Sequence, residues 1–298
     1  MPKFFSGRLA PAVFVLGMLV TVPAQAGWVL DGELTAAYDN NVSRAERERD
    51  ILRDETLLAN LSLGWRTQPG NTTAVNLRGF LEGEGYNEIT TLGRTTAGGQ
   101  ATLRWQPVLG FMQPVYQFSF TGQVDDYNVD QRDSMVYTAQ AFATRHANDR
   151  IIVAYGIEGV KRESDGTVFD TTHGRAFLNL DFELGKDLAA YGSYSYLRGD
   201  TFSSAQLIFC NGAPASDIFG LIQASSAIEP DQAFNQKFCG SWVAYKLKAS
   251  TNALTLGINK AFSHSLSADL SVQGIDVRAE GDNDYQRMIV RFGLLTRF

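Results

Sequence analysis

The sequence has little charge, few cysteines and no long apolar run beyond residue 26. Of its 298 residues, 19% are charged and two are cysteine, while 44% are hydrophobic. This apolar content excludes disorder, which requires low hydrophobicity together with high net charge. Two cysteines exclude a disulfide-dense scaffold, and a mean hydropathy of −0.13 excludes a bundle of transmembrane helices. The net charge of −6 argues against a nucleic-acid partner, because binding phosphates requires clustered lysine and arginine.

The first 26 residues have the order of a secretory signal peptide. Lys3 and Arg8 precede a mostly apolar stretch over residues 9–22, and a small-residue Ala-Gln-Ala site ends at Ala26. The stretch is too short for a membrane anchor and contains proline and glycine. We therefore predict cleavage after Ala26 and one mature domain, residues 27–298, which folds beyond the inner membrane.

The mature chain alternates apolar and polar residues with a period of two, which is the pattern of half-buried β-strands. In residues 55–65, for example, Leu57, Leu61 and Trp65 share one face and Asn60 falls on the other. The segments run for about 12–15 residues, longer than the 5–6 typical of soluble strands and sufficient for a tilted membrane strand. Short turns also alternate with longer polar connections, of which the longest spans residues 200–240. A soluble β-sandwich would also alternate apolar and polar residues, but it would not show these strand lengths or this alternation of short and long connections.

The end of the chain has a further distinctive pattern. Met288, Val290, Phe292 and the terminal Phe298 lie on one face of the last strand, and arginines lie on the other. A chain that ends in this way resembles the bacterial outer-membrane β-barrel proteins, of the porin-like class. The resemblance implies an all-β fold, a single-chain antiparallel transmembrane β-barrel in the outer membrane of a Gram-negative bacterium. It also implies that the barrel insertion machinery reads the last strand, with Phe298 as the insertion signal.

Five short turns give five hairpins, and an opening and a closing strand bring the predicted total to about 12, with ten or fourteen as alternatives. Residues 236–262 are interpreted as one long strand, because an even number leaves both termini on the periplasmic side. Aromatic residues near strand ends fit interfacial girdles. The periplasmic girdle is predicted from Trp28, Trp65, Trp105 and Phe298, and the extracellular one from Tyr86, Tyr127 and Tyr285.

The inward face of the predicted barrel is polar and carries charges of both signs. The candidate lumen-lining residues are Arg78, Glu82, Arg104, Arg175, Asp181, Glu183, Arg287 and Arg291. Such charges select ions in a channel, or pair with each other and close a narrow barrel. Cys210 and Cys239 lie in the long extracellular loop of an exported chain, and we predict a disulfide between them. Between them, apolar residues in 215–227 recur at helical spacing and predict a short helix.

The sequence presents no catalytic constellation. Its three histidines lack suitably spaced partners, and it contains neither a nucleophile elbow nor a zinc-protease or phosphate-binding motif. Acidic residues near the extracellular end, among them Asp125, Asp126 and Asp130, are interpreted as a solvated loop, with divalent-cation binding near lipopolysaccharide as the alternative. We therefore expect no catalytic residues, no cofactor and no metal site.

Two functional hypotheses are compatible with these features. The first is a non-enzymatic porin-like channel that passes small polar solutes or helps to export a surface polymer. Residues 38–42 are similar to a first-strand motif of barrels associated with polysaccharide export, but a match of so few residues does not assign that function. The second hypothesis is a plugged structural or adhesive barrel that acts through its extracellular loops; a lipid- or peptide-modifying barrel enzyme ranks behind both. The expected partners are outer-membrane lipids, the barrel insertion machinery and the solute or polymer.

Overall fold

The structure is a computed structural model and describes residues 27–298. The predicted signal peptide, residues 1–26, lies outside the described residues. The strands are β1 (Gly27–Asp39), β2 (Asp54–Gly70), β3 (Thr73–Tyr86), β4 (Arg94–Trp105), β5 (Val115–Tyr127), β6 (Ser134–His146), β7 (Ile151–Ser164), β8 (Thr171–Gly185), β9 (Leu188–Ile208), β10 (Ala227–Pro230), β11 (Ser241–Ala261), β12 (Leu266–Ala279) and β13 (Asn283–Arg297). Two short helices, α1 (Phe219–Ala224) and α2 (Gln232–Asn235), lie between β9 and β11. No helix among these residues is both long and apolar enough to cross a membrane.

Twelve of the strands form a closed antiparallel barrel. Each strand from β1 to β8 pairs with the next along the chain, and β9 pairs with β11. Strand β11 then pairs with β12, β12 with β13, and β13 closes the ring on β1. Closure leaves no unpaired sheet edge in the wall, which is the condition for placing a sheet in lipid. The short strand β10 lies outside the ring and pairs with β11. The predicted fold and strand number are confirmed, and residues 241–261 form one long strand.

The barrel wall is apolar outside and polar inside. Leu61 pairs with Leu81 on the outer face of β2 and β3, where their side chains are 52% and 60% exposed. Asn60 pairs with Glu82 across the same strands and faces the interior. Because the same alternation continues around the ring, the barrel carries a continuous band of exposed apolar side chains, which requires lipid around it.

The two ends of the barrel differ in their connections. Both termini of the described chain lie at the end that carries the short turns, such as residues 71–72 and 186–187. This is the periplasmic end by the rule for single-chain bacterial barrels, and the predicted aromatic residues Trp28 and Trp105 are exposed there. The opposite, extracellular end carries the connections 40–53, 87–93, 128–133, 165–170, 209–240 and 280–282.

Strands β9 and β11 continue beyond the wall as a two-stranded extension. Each of these strands has 21 residues. The pairing of β9 with β8 ends at Gly199, whereas the pairing of β9 with β11 continues over residues 200–208. At the base of the extension, Gly199 has a φ of +150°, and a Cβ there would lie 2.4 Å from the Thr172 carbonyl oxygen. Only glycine permits this close approach to β8. The long loop therefore begins at residue 209, later than the sequence predicts.

The predicted extracellular tyrosine girdle is wrong. Tyr86, Tyr127 and Tyr285 lie at the extracellular ends of their strands, but the register places them on the inward face. Residues two apart share a face of a strand, so Tyr285 points inward with Arg287 and is only 6% exposed. Outward aromatic residues at this end include Tyr196, which is 41% exposed.

Deletion of Phe298 is expected to reduce the yield of folded barrel. The backbone N–H of Phe298 donates to the Leu30 carbonyl at 2.9 Å beside the β1–β13 seam, while its ring is 77% exposed and contributes little packing. A large loss of folded barrel would therefore indicate that the insertion machinery recognises Phe298, because the packing lost with the residue is small. The measurement is the fraction of heat-modifiable protein in outer membranes, with Trp28→Ala, an aromatic residue that is 70% exposed, as the control. Wild-type yield after deletion would place the signal elsewhere.

Candidate functional site: a capped polar lumen

The strand register places all eight candidate lumen residues on the inward face. They alternate along their strands with exposed apolar residues, such as Leu77 before Arg78 and Phe292 after Arg291. They do not form one cluster. Their surroundings differ between the extracellular half and the periplasmic half of the barrel.

In the extracellular half, candidate residues form ion pairs with partners that the sequence does not predict. The pairs are Arg287–Asp39 (Nε to Oδ2, 2.7 Å), Arg94–Glu82 (Nη2 to Oε1, 2.9 Å) and Arg175–Glu158 (Nε to Oε1, 3.2 Å). Each pair links inward positions on neighbouring strands. Arg291, lower on β13, donates instead to Gln273 Oε1 at 3.0 Å.

Asp125 is a buried carboxylate of this wall rather than part of a solvated loop. Strand β5 extends to Tyr127, and Asp125 faces inward with 0% of its surface exposed. Its Oδ1 accepts a hydrogen bond from Thr96 Oγ1 at 2.8 Å, and its Oδ2 lies 3.0 Å from Arg162 Nη1. The signal was present in the sequence: Val124 is on the apolar face, so the next residue must point inward.

In the periplasmic half, the lumen is open and the candidate charges there are not paired, although Arg297 Nε pairs with Asp31 Oδ1 at 2.8 Å at the end of β13. The candidates toward this end are Arg78, Arg104, Asp181 and Glu183. Within residues 27–298 these four side chains form no ion pair, and a cavity of about 510 Å³ opens beside Asp31, Glu33, Asn60 and Arg78. Charges without partners are unfavourable unless water solvates them. We call this solvated region the periplasmic vestibule.

The five longer extracellular connections fold together over the mouth of the barrel. We call them the cap: residues 40–53, 87–93, 128–133, 165–170 and 209–240. Ser204 N, in the β9 extension, donates to the Ser43 carbonyl at 3.0 Å, and Thr91 Oγ1 donates to the Ala233 carbonyl at 2.7 Å. Loops that leave the wall at different strands are therefore bonded to each other across the opening.

Apolar packing holds the cap together as a small core. Ile89, Leu92, Val129 and Phe234 come from three different connections and pack with Trp242 of β11, all at most 6% exposed. A second cluster joins Ile218 and Leu221 near α1 to the β9–β11 extension. Buried clusters of this kind distinguish a packed cap from independent loops.

A buried ion pair connects two loops of the cap. Arg132 Nη2 lies 2.8 Å from Asp231 Oδ2, and Ser204 Oγ donates to the same oxygen at 2.6 Å. Asp231 has 0% exposure and also caps α2 by accepting from Ala233 N at 3.1 Å. The Arg132 guanidinium lies 4.3 Å from the ring centre of Phe169, which adds a cation–π contact. The two charges are 99 residues apart, so no local pattern predicts their meeting.

The outer rim of the cap carries a more exposed pair. Arg49 Nη1 and Nη2 donate to the two oxygens of Asp217, both at 2.7 Å, with side chains 37% and 41% exposed. These hydrogen bonds lower the pKa of Asp217. Burial raises the pKa of the neighbouring Asp50, although Arg49 Nε lies 3.6 Å from its carboxylate.

Residues 38–42, which resemble the polysaccharide-export motif, build the turn of the first loop. Asp39 Oδ1 accepts from Asn41 N at 2.9 Å, and Asn41 Nδ2 donates to the Ala45 carbonyl at 2.8 Å. Asp39 is also paired with Arg287, so the turn is fastened to the barrel wall. The first loop is thereby directed inward, where Ser43 reaches β9.

Cys210 and Cys239 form the predicted disulfide, at the tip of the β9–β11 extension. It closes the segment that contains α1, β10 and α2, and α1 falls within the range predicted to be helical. In the chain-entropy model, closing a loop of this size contributes about 3–4 kcal/mol. The bond therefore stabilises the largest part of the cap rather than the barrel wall.

Replacing both cysteines with serine is expected to loosen the cap and leave the barrel folded. The ladder hydrogen bonds that satisfy the backbone in lipid do not pass through residues 209–240. Limited proteolysis should cut faster within this range, while heat-modifiability stays unchanged. Loss of the folded barrel, or an unchanged cleavage rate, would contradict this role. Mass spectrometry of the unreduced wild-type protein checks that the bond exists.

The histidines do not assemble into a site. His146 stacks on Phe111 with ring centres 4.1 Å apart, His264 lines the periplasmic vestibule, and His173 lies inward on β8 below the cap. In the part of the chain that the structure describes, no group of three or more His, Cys, Asp or Glu residues is placed to hold a metal ion.

Comparison with known proteins identifies relatives in structure and not in sequence. No protein-family model matches the chain, and no curated protein sequence does. The structure is similar to the COG4313 outer membrane channel from Pseudomonas putida F1, with a TM-score of 0.59 and 10% identity over 97% of this chain and 100% of that chain. The NanC porin (TM-score 0.44, 9% identity, 89% and 98% covered) and the translocator domain of autotransporter NalP from Neisseria meningitidis (0.43, 11%, 91% and 88%) also match. The chain has the fold of the bacterial outer-membrane β-barrels.

Proposed function

We propose that the protein is a non-enzymatic channel of the Gram-negative outer membrane that passes small polar solutes and is gated by its cap. In this proposal the signal peptide is removed after Ala26, the insertion machinery assembles the barrel, and lipids surround the apolar band. The periplasmic vestibule forms one end of the solute path, and the cap covers the other.

The unpaired charges of the vestibule carry the proposal. A barrel whose only role is to present loops gains nothing from Arg78, Arg104, Asp181 and Glu183 in its interior, because ionised groups must be solvated or paired. Their solvation implies water inside the wall. Pairing and burial are concentrated instead under the cap, so the barrier to solutes lies at the extracellular end.

Conductance in planar bilayers tests this function. The wild-type protein should be closed most of the time, and a variant in which a short Gly-Ser linker replaces residues 213–237 should conduct in steady steps. The variant keeps both cysteines and the complete wall, and heat-modifiability verifies that it has folded. A folded variant that stays silent would contradict the channel function.

A plugged structural or adhesive barrel is the second candidate, and the packed core of the cap favours it. In that case the cap would be a fixed platform rather than a gate. The same linker variant separates the two functions, because removing a platform from a sealed barrel opens no path.

A further inference from the structure

A second, smaller cavity lies inside the barrel directly below the cap. Its volume is about 180 Å³, and residues of the first loop, β8, β9 and β11–β13 form its walls. One water molecule needs roughly 10–15 Å³ of such volume, so the cavity holds several waters or a small solute. The polar residues that line it are Arg44, His173, Arg198, Asp200, Thr201, Thr251, Tyr285 and Arg287.

Arg44 reaches this cavity from the first loop in an unusual conformation. Its backbone has a φ of +56°, the only positive value at a non-glycine residue in the described chain. The left-handed region is unfavourable for a long side chain and persists where the surroundings impose it. The guanidinium lies 4.1 Å from the ring centre of Phe202, so an aromatic ring covers one side of it.

The cavity has more positive than negative charge available. Within residues 27–298, Arg44 forms no ion pair, and burial lowers the pKa of its guanidinium. One carboxylate, Asp200, lines the cavity and a second, Asp39, is bonded to the lining residue Arg287, and both are already engaged. Asp39 is bonded to Arg287, and Asp200 is paired with Lys248 and accepts from Thr172 N at 2.9 Å. A guanidinium in this position lacks a counter-ion from the protein.

We propose that this cavity binds a small oxyanion, a carboxylate or phosphate group, on the solute path. Arg44 would supply charge-assisted hydrogen bonds from a planar fork that fits such groups. The hydroxyls of Thr201 and Tyr285, whose oxygens are 3.3 Å apart, and the imidazole of His173 surround the same space. The inference rests on the proposed channel function and deepens it, because it names small anions as the solutes.

Isothermal titration of the full-length barrel in detergent with inorganic phosphate, and separately with acetate, tests the site. We expect saturable binding of at least one of the two anions, weakened about 10- to 100-fold by Arg44→Gln, the loss expected for one charge-assisted contact. Arg53→Gln, an exposed arginine of the same loop, should bind like the wild type. Arg44→Lys, which keeps the charge, should bind more tightly than Arg44→Gln.

The outcomes separate this site from the channel function. A wild-type barrel that binds neither anion, or equal affinity in the folded wild type and Arg44→Gln, overturns the site even if the linker variant conducts. Saturable, Arg44-dependent binding supports it even if the linker variant is silent, in which case only the channel function fails. Heat-modifiability of every variant excludes misfolding as the cause of lost binding.

Discussion

Replacing Asp231 with alanine should open the cap. The change leaves the Arg132 guanidinium buried among aromatic rings without its carboxylate, and breaking a buried pair in this way costs about 3–5 kcal/mol. It also removes the N-cap of α2. Hydrogen exchange of residues 228–238 should accelerate accordingly, and the open time in planar bilayers should rise.

Asp217→Ala provides the matched control for this change. It also removes a carboxylate from an arginine of the cap, but the Arg49–Asp217 pair is exposed and is expected to contribute less than about 1 kcal/mol. Similar exchange rates in the two variants would show that the buried pair does not hold the cap closed.

Replacing Asp125 with alanine should destabilise the barrel wall itself. Its carboxylate is fully buried between Thr96 and Arg162, and its loss leaves the Arg162 guanidinium without an acidic partner. We expect the free energy of unfolding, measured by urea titration of the refolded barrel, to fall by about 3–5 kcal/mol.

The adjacent residue offers a control of the same chemistry. Asp126 follows in the same strand but faces outward and is exposed, so Asp126→Ala should change the free energy of unfolding by less than about 0.5 kcal/mol. Equal effects of the two substitutions would mean that inward burial of Asp125 contributes nothing to the wall.

The barrel could be predicted from the sequence because its information is local. A period of two fixes which residues face lipid, and the lengths of the turns fix which strands are neighbours. The face of every candidate lumen residue follows from this rule. The same rule places Tyr285 on the inward face with Arg287 and therefore excludes it from the extracellular girdle. It also places Asp125 on the inward face of β5 and not in a solvated loop.

The cap could not be predicted in the same way. Its loops have no periodicity, and its contacts join residues distant in the chain, such as Arg132 with Asp231 and Ser43 with Ser204. Arg44 illustrates the same limit, since in the sequence it is one charge in an alternating run of charges. Only the folding of the first loop into the barrel gives it a distinct environment.

Accessibility of single cysteines tests most directly whether the barrel is a water-filled path closed by its cap. Asn60→Cys would place a thiol in the vestibule, Leu61→Cys would place one against lipid, and the native cysteines are held in their disulfide. In liposomes, a charged, membrane-impermeant thiol reagent should label Asn60→Cys from the periplasmic side. From the cap side, the reagent should label Asn60→Cys only when the Gly-Ser linker replaces residues 213–237. Leu61→Cys should stay unlabelled from both sides. Failure to label Asn60→Cys from either side, or labelling through an intact cap, would contradict the gated channel.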